Sequence, residues 1–488
     1  MSADLPHRLR ARWASARSTA LLGPVATLVG GAAAAQAVVF AARPLLTRLY
    51  TPEAFGVLTL VTTAVTLLSA VAHGGFRSAA LLPERDDDAG GLVGLALGGT
   101  VLTAALAALG VALAVVEGRT DDGAAWALLP LALLALDGST TAETWLTRRG
   151  RFHTIATSRM AQAATAVAVQ VGAGLAAASA VGLVGGAAAG FAASLVAAGT
   201  AVWRGDGRLL ARSFRAGPMR ALARRYARFP AFSAPAALLN LVSTRLPVFL
   251  LAAFAGEAAV GQFGVAYGTV ALPLGLVTGG AGQVFFARAA VAVRDGTLPA
   301  LTRRTLRGLL AVTVFPSLAV VAAGPTLFAF VFGPAWETAG VFARMIAPWV
   351  LAASVAPPLT CLFDVLERQR ADLAFSVFMA AVMAAVLVGA GLTGTAAQVV
   401  LAASVAGTLL RVAHVAWMLR LASVPAGPVL RDTAAQFALA APLAAAVWAV
   451  DASGAAAVWP VAATAAGGAL TLGLAARRPG PPSDEPTR

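Results

Sequence analysis

Along this chain, long runs without a charged side chain alternate with short knots of arginine, acid, proline and glycine. Backbone inside hydrocarbon must satisfy its own hydrogen bonds, so each uncharged run of about 20 residues predicts a spanning helix. The pattern predicts fourteen, at approximately 20–46, 55–76, 90–116, 124–147, 158–179, 182–203, 228–254, 262–287, 308–331, 341–365, 371–391, 396–419, 433–450 and 455–475. Two runs are too long for one crossing, because no charge occurs between Met160 and Trp203 or between Leu373 and Leu410. Each is read as a hairpin, turning near Gly182–Gly186 and Gly391–Gly394, where glycine and threonine favour turns. Between the first two spans stands the polar knot TRLYTPEAFG, residues 47–56. It reads as a helix start: Thr51 is a capping type, Pro52 suits the first helical position, and Glu53 faces the positive end of the dipole.

Composition turns these helices into a class. The 488 residues are 59% hydrophobic and 12% charged, whereas ordinary soluble domains are roughly 45–50% apolar and about 25% charged. The expected fold is an all-α polytopic membrane protein. Arg8, Arg10, Arg12 and Arg17 precede the first apolar run, and Ala33 to Ala35 offer small residues, as in a cleaved leader. That run continues from Ser18 to Ala42, beyond the 7–15 residues of a leader's apolar region, so it is read as a first spanning helix.

Arginine supplies all 36 basic residues, and cytoplasmic loops accumulate such charge. With the N-terminus inside, every arginine falls in a cytoplasmic segment except Arg43, Arg48, Arg119, Arg245, Arg344 and Arg411. Both termini are therefore expected in the cytoplasm. The net charge of +14 reads as a topology signal with attraction to anionic headgroups. Nucleic acid is not an expected partner, since a basic binding surface would cluster arginine with aromatics on a folded face. The densest stretch, 204–228, is expected to lie as an amphipathic helix along the inner surface. A single cysteine, Cys361, excludes an internal disulfide; no cofactor or metal is indicated, and a chain without lysine has no Walker lysine for ATP-driven export.

Two internal echoes organise the helices. PEAFGVLTLVTTAV after the first span resembles VGQFGVAYGTVALP after the seventh, with Phe55-Gly56 answering Phe263-Gly264. LTRRGRFHTIA from Leu146 resembles LERQRADLAFS from Leu366. The similar offsets suggest two six-helix lobes in parallel pseudo-repeat, followed by two extra helices. The expected layout is a cytoplasmic segment 1–19, an N-lobe 20–203, a basic linker 204–227, a C-lobe 228–419, two further helices in 433–475, and a cytoplasmic tail 476–488.

The same residues resemble a known family. LLTRLYTPEAFGVLTLVTTAVTLLSAVAHGGFRSAALLPERDDDAGGL is similar to the first helical pair of bacterial polysaccharide flippases of the O-antigen and capsule type, within the multidrug/oligosaccharidyl-lipid/polysaccharide exporter superfamily. WLTRRGRFHTIATSRM resembles that family's loop after the fourth helix, and VFGPAWETAGVFARMIAPWVLAASVAPPLTCLFDVLERQ resembles a stretch of its second half. The resemblance implies a two-lobed transporter in the bacterial plasma membrane. It would pass a lipid-linked oligosaccharide to the outer leaflet by alternating access, coupled to a proton or sodium gradient. The implied partners are membrane lipid, the lipid-linked glycan, and glycan polymerase and chain-length machinery. Arg48 and Arg77 match the family pattern, and Arg77 is expected to contact headgroups at the cytoplasmic mouth.

Charges inside spans sharpen the site. An ionisable residue near the bilayer centre costs about 2.5–3.5 kcal/mol on insertion scales and usually faces a cavity or a partner. Arg245, midway along the seventh span, and Arg411, in the twelfth with His414 one turn on, are the main substrate-pathway candidates; guanidinium forks suit pyrophosphate or acidic sugars. A structural ion pair or snorkelling to an interface is the alternative for each. Asp137, Glu143 and Asp364 are candidates for ion coupling, with pairing to Arg148 or Arg368 as the alternative for the latter two. His73 reads as an interfacial histidine. Pro230, Pro235 and Pro247, with Pro348, Pro357 and Pro358, each remove a backbone hydrogen bond and are hinge candidates. Three other functions stay open: a drug or cation antiporter of the same superfamily, which favours acidic cavities; a membrane polysaccharide polymerase or ligase, which needs longer outer loops than these; and a scaffold role in glycan synthesis.

Overall fold

The computed structural model describes residues 30–118, 122–366, 368–454 and 456–477. Among them there is no strand. Helix α1 covers 30–49, followed by α2 (Pro52–Ala72), the single turn α3 (Phe76–Ala79), α4 (Asp86–Val116), the short α5 (Gly123–Trp126), α6 (Leu129–Arg148), α7 (Phe152–Ala176), α8 (Ala180–Ser213) and α9 (Ala216–Arg225). Beyond a π-helical turn at Phe229–Ser233 come α10 (Ala234–Arg294), α11 (Leu298–Phe332), α12 (Glu337–Val365), α13 (Gln369–Thr393), α14 (Ala396–Leu421), α15 (Ala426–Ala452) and α16 (Val458–Arg477).

Among the described residues ten stretches are long and apolar enough to cross a membrane, against the fourteen expected over the whole chain. The expected first span begins outside the described residues. The spans expected at 228–254 and 262–287 both lie in α10 and count as one stretch, Arg245–Gly275, although the helix breaks between them at Gly256, as the expected separation requires. Those expected at 158–179 and 455–475 fall on α7 and α16, which are not among the ten. In α7 the reason is chemical: Thr157, Ser158, Arg159, Gln162 and Gln170 dilute its apolar residues.

The chain divides into two compact units, the described residues up to Tyr50 with Val57–Val242, and Thr51–Gly56 with Ser243 onward. In the first unit α7 packs along α8, α8 along α6, and α6 along α4. Trp145, Leu146, Leu92, Ile155, Val202 and Leu222 close its core. Helix α4 begins with Asp86, Asp87 and Asp88, acids that favour the positive end of the helix dipole. The expected basic linker is the end of α8 plus α9, whose Leu222 is buried over Gly91 of α4 while Arg220, Arg224 and Arg225 stay exposed.

In the second unit α11 packs on α12, α15 and α16, and α14 on α12 and α13. Phe285, Phe315 and Phe363 fill its core. Helices α11 and α12 cross at Gly324 and Gly340, where an added Cβ at Gly340 would lie 2.4 Å from the Gly324 carbonyl oxygen. Such small-residue crossings let spanning helices approach closely. Next to the crossing, Ala323 leaves helical geometry (φ −130°, ψ 25°), and the Arg344 guanidinium donates to the Ala322 carbonyl at 3.0 Å. Arg344, one of six arginines outside the expected basic loops, thus satisfies a carbonyl at this kink. Arg344→Met should cost about 1.5 kcal/mol, the low end for a bond to a charged donor, read as a small drop in melting temperature with transport retained.

The helix start at Thr51 is found as expected. Helix α2 begins at Pro52, and the Ala54 N–H donates to Thr51 Oγ1 at 3.4 Å. Thr51–Gly56 sits within the second unit, where its backbone meets α10 with no side chain between. A Cβ at Gly56 would lie 2.0 Å from the Glu257 carbonyl oxygen, and one at Gly261 would lie 1.8 Å from that of Pro52. Phe55 stands edge-on to Trp336 at 5.0 Å between ring centroids. The interruption of α10 is at Gly256 (φ 79°, ψ 178°), a backbone region that glycine enters without steric cost, and not at Pro247.

Candidate functional site

The most heavily bonded buried charge in the described residues is Asp137, in the middle of α6 and 0% exposed. Three other elements converge on it. Ser69 of α2 donates its hydroxyl to Oδ1, Thr100 of α4 lies 3.1 Å from Oδ2, and Arg77 of α3 reaches Oδ1 with Nη1 at 3.3 Å. The same Nη1 donates to Thr140 of α6 at 2.7 Å, three residues beyond Asp137 and on the same helix face. A carboxylate closed from water is tolerated because donors and an opposite charge surround it.

Local sequence explains how Arg77 arrives there. After α2 the chain turns through Gly74 (φ 54°) and Gly75 (φ 73°), conformations that a side chain would resist. The Gly75 N–H donates to His73 Nδ1 at 3.1 Å, which leaves that nitrogen unprotonated and fixes the turn. Helix α4 comes close because Gly99 meets the Ala72 carbonyl, where a Cβ would lie 2.3 Å away. Thr100 is thereby set against Asp137.

Glu143 lies further along α6. It pairs with Arg159 of α7 at 3.0 Å, and the Ser158 hydroxyl donates to it at 3.3 Å. The alternative of an Arg148 partner is not realised: five positions separate the two, placing them on different faces of α6. Arg148 instead donates to Asp86 through Nε and Nη2 at 3.0 and 2.9 Å. Arg149 bridges Asp86 and Asp206, both at 2.9 Å, and lies over the Trp145 ring, whose Nε1 also donates to Asp206. This belt binds the α6–α7 turn to the ends of α4 and α8.

The second unit holds the other candidates. Arg245, on α10, is half-buried, and the described residues place no carboxylate within ion-pair distance of it. His414 of α14 is buried and stacked between Phe363 of α12 and Phe375 of α13, with ring centroids 5.5 and 4.5 Å away. Its Nε2 lies 3.6 Å from Asp372, beyond hydrogen-bond length. Arg411, one turn back, interacts electrostatically with Tyr267 and Asp372. Arg48 is exposed in the last turn of α1, and the Asp364 side chain lies outside the described residues. Among the hinge candidates, Pro230 falls in the π-helical turn and Pro235 at the start of α10, both exposed; Pro247 is buried inside α10; α12 continues through Pro357, exposed, and Pro358, buried.

The structure thus gathers Arg77 with Asp137 in one unit and Arg411 with His414 in the other. It adds Ser69, Thr100, Thr140, Ser158 and Arg159, which the chain alone did not mark. Lone Ser and Thr residues in apolar helices carry little signal, since most bond back to their own helix. The only advance sign was the polar run Ser139-Thr140-Thr141 within α6. The described residues contain no group of three or more His, Cys, Asp or Glu able to hold a metal.

Comparison places these features among known proteins. Residues 45–340 match a family described as polysaccharide biosynthesis protein. Among solved structures, lipid II flippase MurJ in an inward closed conformation is similar at a TM-score of 0.70 and 10% identity, covering 92% of this chain and 97% of that one. An inward-facing multidrug resistance MATE family transporter of the MOP superfamily matches at 0.56 and 14% identity, over 80% and 95% of the two chains. A MOP superfamily transporter from Pyrococcus furiosus, described by a binding pocket of reverse polarity, matches at 0.55 and 14% identity, over 82% and 94%. No curated protein matches. At these identities the structural likeness establishes the fold, a multi-pass helical membrane fold of the MurJ and MATE kind.

Proposed function

Because the chain belongs to the polysaccharide biosynthesis protein family, we propose that it is a flippase of the bacterial plasma membrane that moves a lipid-linked oligosaccharide from the cytoplasmic to the outer leaflet. The observation that carries this reading is a set of guanidinium groups on or beside membrane helices that keep donors free of carboxylates among the described residues. Arg245 has no carboxylate partner among the described residues, and the Arg77 side chain remains 25% exposed beside Asp137. Arginine is costly in hydrocarbon, and its planar fork matches a pyrophosphate. A carrier of cationic drugs would favour exposed acids, whereas Asp137 is enclosed and Glu143 is paired with Arg159.

In this reading Arg77 is the contact of the first unit for the anionic pyrophosphate linkage, Arg245 and Arg411 are the candidates of the second, and the isoprenoid stays in lipid. Both termini face the cytoplasm, and an ion gradient supplies the driving force. Depleting the protein should leave glycan units assembled on their lipid but confined to the cytoplasmic leaflet. Units exposed at the surface yet unpolymerised would instead point to a polymerase. Arg245→Ala should insert normally and lower transport about tenfold to a hundredfold, the loss of one charge-assisted contact of about 1.5–3 kcal/mol. Unchanged transport would remove Arg245 from the pathway.

A further inference from the structure

We infer that the Arg77 guanidinium is handed between Asp137 and the anionic group of the substrate, and that proton uptake at Asp137 accompanies the transfer. The inference rests on the proposed anionic substrate.

Three observations carry it. The first is an imbalance in how Arg77 is held. Its contact with Asp137 is long, 3.3 Å, while the contact of the same Nη1 with Thr140 is 2.7 Å. No other nitrogen of Arg77 has an acceptor among the described residues, and a quarter of the side chain is exposed. The guanidinium is anchored by a hydroxyl and has donors to spare. The second is that Asp137 is closed from water, so losing Arg77, its only ion-pair partner among the described residues, would strand a charge in a dry site, a state costing several kcal/mol.

The third is that Thr100 is placed to serve both protonation states. Its Oγ1 lies 3.1 Å from Asp137 Oδ2 and 3.0 Å from the Ala96 carbonyl oxygen, yet a hydroxyl has one proton to donate. With Asp137 ionised, Thr100 donates to Oδ2. With a proton on Oδ2, the acid donates to Thr100 Oγ1, and the threonine proton turns to the Ala96 carbonyl. Ser69 donates to Oδ1 in both states. One proton arrives from solvent, one O–H bond forms, and only the Arg77 contact is given up.

The other groups near Asp137 are accounted for. His73, in the turn after α2, has its Nδ1 taken by the Gly75 N–H. Glu143 of α6 is paired with Arg159 of α7. Helix α8 presents Leu195, against Gly138. The sign follows: anion binding withdraws the cation that favours ionised Asp137, so anion and proton bind together, and by reciprocity acid conditions tighten anion binding. Proton and anion then occupy the same state of the carrier, and Asp137 alone does not exchange one for the other across the membrane.

The test uses the full chain in nanodiscs and a short-chain prenyl-pyrophosphoryl-sugar, a diester whose charge is constant through the neutral range. Affinity is measured against pH, and proton uptake from the dependence of the calorimetric heat on buffer. Wild type should bind more tightly as pH falls, by up to about tenfold per pH unit, with net proton uptake. Asp137→Asn, which keeps the shape of the site, should bind independently of pH and without uptake. Arg77→Ala should bind weakly at every pH. If wild type binds the probe independently of pH while Arg77→Ala binds weakly, the hand-over is wrong and the flippase reading stands. If Asp137→Asn keeps the pH dependence and His73→Gln removes it, the proton belongs to His73 and the inference falls. If wild type does not bind the probe at all, the substrate class itself is wrong. The proton uptake of wild type needs no variant to fold.

Discussion

Arg77→Ala should destabilise the first unit by about 3–5 kcal/mol, the cost of leaving a buried carboxylate without its counter-charge. The expectation follows from the closure of Asp137: the Ser69 and Thr100 hydroxyls are already committed to the carboxylate and supply no counter-charge. Adding Asp137→Asn to Arg77→Ala should recover much of the loss, because a neutral amide needs no cation. Thermal unfolding of the two single variants and the double variant measures this directly. A coupling well above about 0.5 kcal/mol is expected for residues in contact; simple additivity would mean that Arg77 is held in place for another reason. Transport separates the two effects. The double variant should be stable but inactive, since the guanidinium that would hold the substrate is gone in both Arg77→Ala backgrounds.

Gly261→Ala should be at least as damaging, through packing alone. The added Cβ would lie 1.8 Å from the Pro52 carbonyl oxygen and 2.8 Å from the Gly56 nitrogen. Both are backbone atoms, so no side chain can rotate aside, and the start of α2 must leave α10. The cost should reach or exceed about 3 kcal/mol, the upper end for overpacking, and appear as a lower melting temperature or failure to purify as a single species. Gly275→Ala on the same helix is the control. It meets nothing within 4 Å, and replacing an exposed helical glycine should be neutral or stabilising by up to about 1 kcal/mol. Equal behaviour of the two variants would contradict the close crossing.

Much of the fold was legible because hydrocarbon imposes a simple rule on sequence. A charge-free run of sufficient length must be a helix, and the knots between runs must be turns. The TRLYTPEAFG knot shows this best, with α2 starting at Pro52 and Thr51 at its cap. The same knot shows the limit. Nothing local indicates that Gly56 packs against Gly261 of α10. Close approach depends on how helices meet, and the chain does not record it.

The site was legible by residue and not by pairing. Asp137, Glu143 and Arg77 stand out as charges within or next to apolar helices. That Arg77 serves Asp137, 60 residues away, depends on the double-glycine turn after α2. That Glu143 takes Arg159, leaving Arg148 to Asp86, depends on the antiparallel turn from α6 to α7. Arg344 was set apart by position, and its partner is a carbonyl freed at a kink in α11. His414 stood out as a polar residue one turn from Arg411, and the aromatic slot around it is built from two other helices.

The central claim is movement of a lipid-linked glycan between leaflets, and purified protein in vesicles tests it most directly. Vesicles carry a fluorescent prenyl-pyrophosphoryl-oligosaccharide in both leaflets, and a membrane-impermeant quencher reports the fraction exposed outside. With the protein present, quenching should proceed beyond the outer-leaflet pool, and it should stop at that pool when Arg77→Ala/Asp137→Asn replaces wild type. Quenching confined to the outer pool with folded wild-type protein, under proton, sodium and potential gradients of either direction, would contradict the flippase reading.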